Sequence, residues 1–171
     1  PPNSFAEALQ SFWIFFEFER LCGNWSGLGR FDKILGEYLA KDLKHNIITL
    51  DEARELVAHF MIKGTEWCHG LVEKSPFNPN SGDAQHYQNI VLAGIDVNGK
   101  EVENEVTYLV LDVVEELHSS DYPIAVRLNR NTSSHLLEKV AALQLLGGGI
   151  VSVYNEEIVI DGLIKFGYPI E

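Results

Sequence analysis

Basic residues are scarce: 13 Lys and Arg stand against 25 Asp and Glu, for a formal net charge of −12. With no basic stripe to neutralise phosphates, the composition argues against nucleic acid as a partner and equally against an anionic membrane surface. Cysteine is scarcer still. Cys22 and Cys68 share no repeated spacing, which excludes a disulfide framework and a CxxC zinc pair and points to a reduced, cytoplasmic setting. Long apolar runs are missing too. The most apolar stretch, Phe12 to Phe16, is far too short to span a bilayer and is flanked by Glu7, Glu17, Glu19 and Arg20. No internal repeat or low-complexity segment is apparent.

What is present in quantity is material for a core. Hydrophobic residues make up 46% of 171 positions, enough for one domain or a large part of a bigger one, and too many for disorder. The chain opens on Pro1-Pro2-Asn3 and closes on Pro169-Ile170-Glu171, so both ends are expected to be cuts in a longer polypeptide.

The first half reads as helical. Ser4 to Cys22 has the composition of a long helix capped by Asn3 or Ser4, with Phe5, Leu9, Phe12 and Phe16 on one stripe. Ile14, Phe15 and Phe18 add apolar bulk on its other sides, which predicts burial on several faces by surroundings outside the segment. A glycine-rich loop over 23–29 leads into a second helix carrying Phe31, Ile34, Leu35, Tyr38 and Leu39. A third begins at the capping box Thr49-Leu50-Asp51-Glu52 and carries Ala53, Leu56, Val57, Phe60, Met61 and Gly64 at helical period.

Pro76, Asn78, Pro79, Asn80 and Gly82 punctuate Ser75 to Asp83, the one good internal boundary. It divides a helical segment, 1–74, from a parallel β/α segment, 75–171. Strands are expected over 89–95, 124–128 and 150–154, with a tight turn at Asn98-Gly99. Helices follow each strand, the second ended by Gly147-Gly148-Gly149. This alternation defines an α/β fold of parallel βαβ units, with strands buried on both faces. Three strands make an open sheet too small to stand alone comfortably.

In βα folds the reactive end is the carboxyl end of the strands. Arg127, Asn129, Tyr154 and Asn155 fall there. The competing assignment has Asn155 capping the last helix and Arg127 pairing with an acid. The triple glycine follows a helix and lacks the Lys-Ser/Thr of a P-loop and the GxGxxG of a dinucleotide site, so it reads as helix termination. Cys68-His69 has no third ligand at metal spacing, His135 reads as solvent-facing, and no metal site is expected. No Gly-x-Ser-x-Gly elbow exists, and Glu115-Glu116 and Glu156-Glu157 read as solvated helix faces. The loop at 23–32 stands out, because a tryptophan between Gly23 and Gly27 is either core or pocket wall.

Six further patterns lie in fixed order. Ala8-Leu9-Gln10 with Phe12-Trp13 precedes Gly29-Arg30-Phe31-Asp32. Gln88-Asn89-Ile90-Val91-Leu92-Ala93-Gly94 and Asn104-Glu105-Val106-Thr107-Tyr108-Leu109 follow, then Ala125-Val126-Arg127 and Tyr154-Asn155-Glu156-Glu157. Collinear over essentially the whole chain, they resemble the glycyl radical enzymes of the pyruvate formate-lyase-like family.

The resemblance implies a ten-stranded α/β barrel of two parallel half-sheets, of which this internal piece supplies part of one half. It implies that no catalytic residue lies in the chain. The family's catalytic cysteine sits in a Gly-Cys loop expected just beyond Glu171, and its radical glycine in an Arg-Val-x-Gly-Tyr motif. Gly167-Tyr168 does not match, because Lys165-Phe166 precedes it. The segment alone is expected to bind no cofactor and to be inactive. The glycyl radical of the full-length protein is made by an activating enzyme that uses an iron–sulfur cluster and S-adenosylmethionine. A small-molecule substrate and a homodimer are implied as well.

Substrate-binding residues are expected at Asn24, Trp25 and Ser26. Diol dehydratases of the family carry a His-Ser pair where this chain has Asn24 and Trp25, which disfavours the usual diol geometry. Gly-Arg-Phe-Asp is typical of the dehydratase, decarboxylase and C–N lyase branches, whereas pyruvate formate-lyases proper have Gly-Arg-Thr. Two rival assignments stand beside this one: a pyruvate formate-lyase proper, and a stand-alone, non-catalytic α/β binding module.

Overall fold

The computed structural model describes residues 1–22, 27–64, 89–118 and 122–169. The first helix, α1 (Phe5–Leu21), is followed by a short strand β1 (Gly29–Arg30) and the helices α2 (Phe31–Lys44) and α3 (Leu50–Gly64). Beyond them β2 (Ile90–Ala93), α4 (Glu105–Leu117), β3 (Ile124–Leu128), α5 (Ser134–Leu145), β4 (Val151–Asn155) and α6 (Glu156–Lys165) alternate.

The expected helices form where their caps lie. Ser4 Oγ accepts from Glu7 N at the start of α1. Glu52 Oε2 accepts from Thr49 N (2.8 Å) while Thr49 Oγ1 accepts from Glu52 N (3.2 Å), closing the box before α3. Ser133 caps α5 through Leu136 N. At the far end of α5, Gly147, Gly148 and Gly149 take φ of +81°, +82° and +67°, so termination is what the triple glycine does. Buried Asp42 accepts from Phe5 N at 2.7 Å, which ties the start of α1 to α2.

The sheet has the order β1-β2-β3-β4, and every pairing is parallel. β1 was not expected. Two residues offer no alternation to read, and the pairing of Gly29 with Ile90 and Arg30 with Val91 comes from the neighbouring strand. Through it, the segment before residue 75 shares one sheet with the segment after. β2 also stops earlier than the sequence implies, because Ala93 and Gly94 turn left-handed, with φ of +57° and +74°.

Among the described residues, the expectation of strands covered on both faces is not met. Strands that advance in one direction through right-handed crossovers lay their connecting helices on the same side. Ile90, Leu92, Ile124 and Val126 face that side and are fully buried. In register on the opposite face stand Val91, Ala125 and Ser152, then Ala93, Arg127 and Tyr154. Ser152 is exposed there, and Tyr154 is 47% exposed.

An aromatic cluster carries the helical side. Phe31 meets Phe12 edge-on with centroids 5.5 Å apart and lies 5.3 Å from Phe60. Phe60 in turn meets Trp13 at 5.4 Å and Tyr122 at 6.3 Å. Gly64 admits Tyr122 so closely that a Cβ there would lie 1.2 Å from the phenol oxygen. The predicted stripe of α1 faces this cluster, while Phe15 is 71% exposed and Ile14 and Phe18 project outward with it. Among the described residues no helix is long and apolar enough to cross a membrane.

Phe60 joins α1, α2 and α3 through one ring. Its replacement in Phe60→Ala is expected to cost about 3–5 kcal/mol, read from denaturant unfolding; a loss below about 1 kcal/mol contradicts this packing scheme.

Candidate functional site

The strands end on a network of charged side chains. Arg30, the last residue of β1, extends over the exit of β2. Its Nη2 donates to the carbonyl of Ala93 and its Nη1 to that of Ile95, each at 2.7 Å. Asp32, in the first turn of α2, is fully buried. Its Oδ2 accepts from Ala93 N (2.6 Å) and from the Thr107 hydroxyl (2.8 Å), and its Oδ1 from Lys33 N (2.8 Å).

Glu156 approaches from the other side. It opens α6 directly after β4 and is 2% exposed. Its Oε2 accepts from Ile95 N (2.9 Å) and from Asn129 Nδ2 (3.3 Å), while Oε1 pairs with the Arg127 guanidinium. Gly94 fits between these groups because it lacks a side chain: a Cβ would lie 2.8 Å from both Arg127 Cβ and Glu156 Oε2. The next hairpin closes the exit. Val102 N donates to the Gly94 carbonyl (2.9 Å), Asp96 N to the Lys100 carbonyl (2.8 Å), and Gly99 turns at φ +76°.

Gly-Arg-Phe-Asp thus has a structural account residue by residue. Gly29 takes φ +62°, Arg30 binds carbonyls, Phe31 fills the aromatic cluster, and Asp32 gathers N–H and O–H donors. Asn104 completes the set. It caps α4 by accepting from Val106 N (2.9 Å) and donates to the carbonyls of Asp32 (3.1 Å) and Val102 (2.8 Å).

Burial sets the electrostatics. Desolvation lifts the Asp32 carboxyl above the ordinary range, opposed by the donors at Ala93, Thr107 and Lys33 and by the Arg30 charge. Burial lowers the Arg30 guanidinium, against the pull of Asp32 and Asp96. Arg127 is lowered first by burial and then by the like charge of Arg30. Arg30 of β1 and Arg127 of β3 thus share the strand ends with the acids Asp32 of α2 and Glu156 of α6.

The sequence candidates fall as follows. Asn155 caps α6, accepting from Ile158 N at 3.0 Å, and Arg127 pairs with Glu156, so the capping and pairing assignment is the one the structure carries. Asn129 joins the network through Glu156, and Tyr154 stands beside Arg127 on the sheet face opposite Ile124 and Val126. His135 is exposed, with its ring 4.8 Å from that of Tyr108. Glu156 corrects the expectation of a solvated helix face. Glu157 does face outward, paired with Arg130 at 2.7 Å. Asn24, Trp25, Ser26 and the Cys68-His69 pair lie outside the described residues. Among the described residues, no cluster of three or more His, Cys, Asp or Glu is placed to hold a metal.

Arg30, Asp32 and Glu156 are the site residues that reading the sequence for chemistry passed over. One signal was available for Glu156: an acid placed directly after an apolar strand, at the first position of a helix.

A parallel, singly wound α/β sheet with its polar residues gathered at the carboxyl strand ends defines a class of βα scaffold. Comparison with known proteins sharpens the class. The sequence model of the family described as pyruvate formate lyase-like matches residues 1–171, and the chain belongs to that family of glycyl radical enzymes. It is 24% identical over 180 residues to trans-4-hydroxy-L-proline dehydratase of Clostridioides difficile, covering 99% of this chain and 22% of that protein. It is 28% identical over 172 residues to isethionate sulfite-lyase of Nitratidesulfovibrio vulgaris, covering 98% and 20%. A solved structure concerned with 1,2-propanediol dehydration in Roseburia inulinivorans superposes with a TM-score of 0.85 at 27% identity, over 99% of this chain and 21% of that one. The chain therefore spans about a fifth of the length of the relatives it matches.

The raised Asp32 carboxyl has a sign that can be checked. Its folded-state pKa exceeds the unfolded one, so its stabilising contribution is complete below the unfolded carboxylate range and declines as pH rises through the folded value. The stability of the wild type minus that of Asp32→Asn is expected to fall across this window in denaturant titrations at stepped pH. A difference that rises with pH, or stays flat, contradicts the assignment.

Proposed function

We propose that residues 1–171 supply barrel wall and part of the substrate pocket in a glycyl radical lyase or dehydratase, which cleaves a C–C, C–O or C–N bond of a small molecule through a thiyl radical. One observation carries this: the pyruvate formate lyase-like match runs from the first residue to the last, and the relatives it brings are a dehydratase and a sulfite-lyase. The parallel sheet, with one face on which the described residues place no helix, fits an arc of a ten-stranded barrel, with that face turned inward.

In the full-length protein a glycyl radical, installed by an S-adenosylmethionine and iron–sulfur activating enzyme, would take the hydrogen atom of a cysteine S–H, forming a glycine Cα–H bond and leaving a thiyl. The thiyl takes a hydrogen atom from substrate: a C–H bond breaks, an S–H bond forms, and the unpaired electron moves to carbon. Such an intermediate needs a closed, dry site. This segment's part is to bind, orient and exclude water. Asn24, Trp25 and Ser26, directly before β1, are the proposed substrate contacts; an amide and an indole at 24 and 25 suit a larger or flatter substrate than a simple diol. The segments 1–74 and 75–171 belong to one larger domain in this scheme, and the whole enzyme works as a cytoplasmic homodimer.

Electron paramagnetic resonance on the full-length protein after anaerobic activation tests the chemistry. A protein-based radical at glycine supports the proposal, and its absence from fully activated protein, or a sequence lacking Gly-Cys and Arg-Val-x-Gly-Tyr, removes it. For the pocket, Trp25→Ala in the full-length enzyme is expected to change substrate preference or raise KM; unchanged kinetics count against Trp25 as pocket wall.

A further inference from the structure

We infer that Arg30, Asp32 and Glu156 are positioning residues for the reaction proposed above: together they hold the left-handed exit of β2, residues 93–95, in the one geometry that sets the wall at the carboxyl ends of the strands. The inference rests on that functional reading and deepens it.

The observation is how completely this short exit is held. Both backbone groups of Ala93 are bound by side chains, N–H to Asp32 and C=O to Arg30. Both groups of Ile95 are bound the same way, N–H to Glu156 and C=O to Arg30. The Gly94 carbonyl takes Val102 N. The side chains come from β1, α2 and α6, each more than 60 residues away in sequence (61 for Asp32 and for Glu156, 63 and 65 for Arg30). Ala93 sits at φ +57° with a Cβ, a conformation that persists only where its surroundings over-determine it, and such positions gather at functional sites.

The two ends of the sheet differ. At the amino ends, strands enter on ordinary backbone bonds, Ile90 N to Pro123 O (3.0 Å) and Ile124 N to Ile150 O (2.8 Å). A scaffold that needed only strand pairing has that means available at both ends. Among the described residues, the buried acids that bind strand-exit backbone, Asp32 and Glu156, are costly to bury and stand at the end where βα folds keep their chemistry; the other buried acid, Asp42, holds the start of α1 instead. Arg127, backed by Glu156, extends the same network to the sheet face that carries Tyr154.

The test uses the full-length enzyme, activated anaerobically, in Glu156→Gln and Arg30→Lys. Glu156→Gln keeps the volume and removes the charge opposite Arg127; Arg30→Lys keeps the charge and leaves one donor centre for two carbonyls. For a positioning role kcat falls about 10- to 100-fold while KM stays within about threefold, and the glycyl radical signal per subunit matches the wild type in folded protein. Wild-type kcat in both variants overturns the inference. So does a loss of activity that simply tracks lost radical, and so does failure of both variants to fold, which makes the network scaffold alone. A wild-type protein that never acquires the radical marks the failure of the functional reading instead.

Discussion

Everything at the working end of this sheet depends on backbone groups that a strand leaves unpaired when it turns out of its ladder. Buried N–H and C=O groups must find partners. At the exit of β2, where Ala93 and Gly94 turn left-handed, the backbone groups of Ala93 and Ile95 meet side chains instead of a strand ladder. Arg30, Asp32 and Glu156 fill the gap. Once they do, β1, α2 and α6 cannot move independently of β2, and the four strand ends act as one piece.

That constraint explains the cost accepted elsewhere. Asp32 is fully buried and carries a carboxyl that burial pushes toward protonation. It is held by donors from three places, Ala93, Thr107 and Lys33, and Thr107 is itself fixed by the Asn104 capping arrangement at the head of α4. The aromatic cluster around Phe60 supplies the complementary apolar fixing on the helical side, through Phe31 between Arg30 and Asp32. Polar clamp and aromatic core thus meet within four consecutive residues, Gly29 to Asp32.

Much of this was legible beforehand. Capping boxes, helical stripes and the three longer strands are local signals, and Thr49-Glu52, Asn98-Gly99 and Gly147–149 behave as their composition dictates. The order of motifs was enough to indicate the family. What escaped was non-local. β1 exists because Ile90 and Val91 offer it a partner, not because Gly29-Arg30 favours extension. Glu156 looks like any surface acid until Ile95 N and Arg127 are brought to it. Which sheet face the described helices cover follows from strand order, which no single strand encodes.

The clamp is the central physical claim, and amide hydrogen exchange of Ala93 and Ile95 in the full-length protein measures it directly. Because both N–H groups are held by buried carboxylates, they are expected to exchange as slowly as the core strand amide of Ile124. Fast exchange at either position, with Ile124 still protected, would contradict the account.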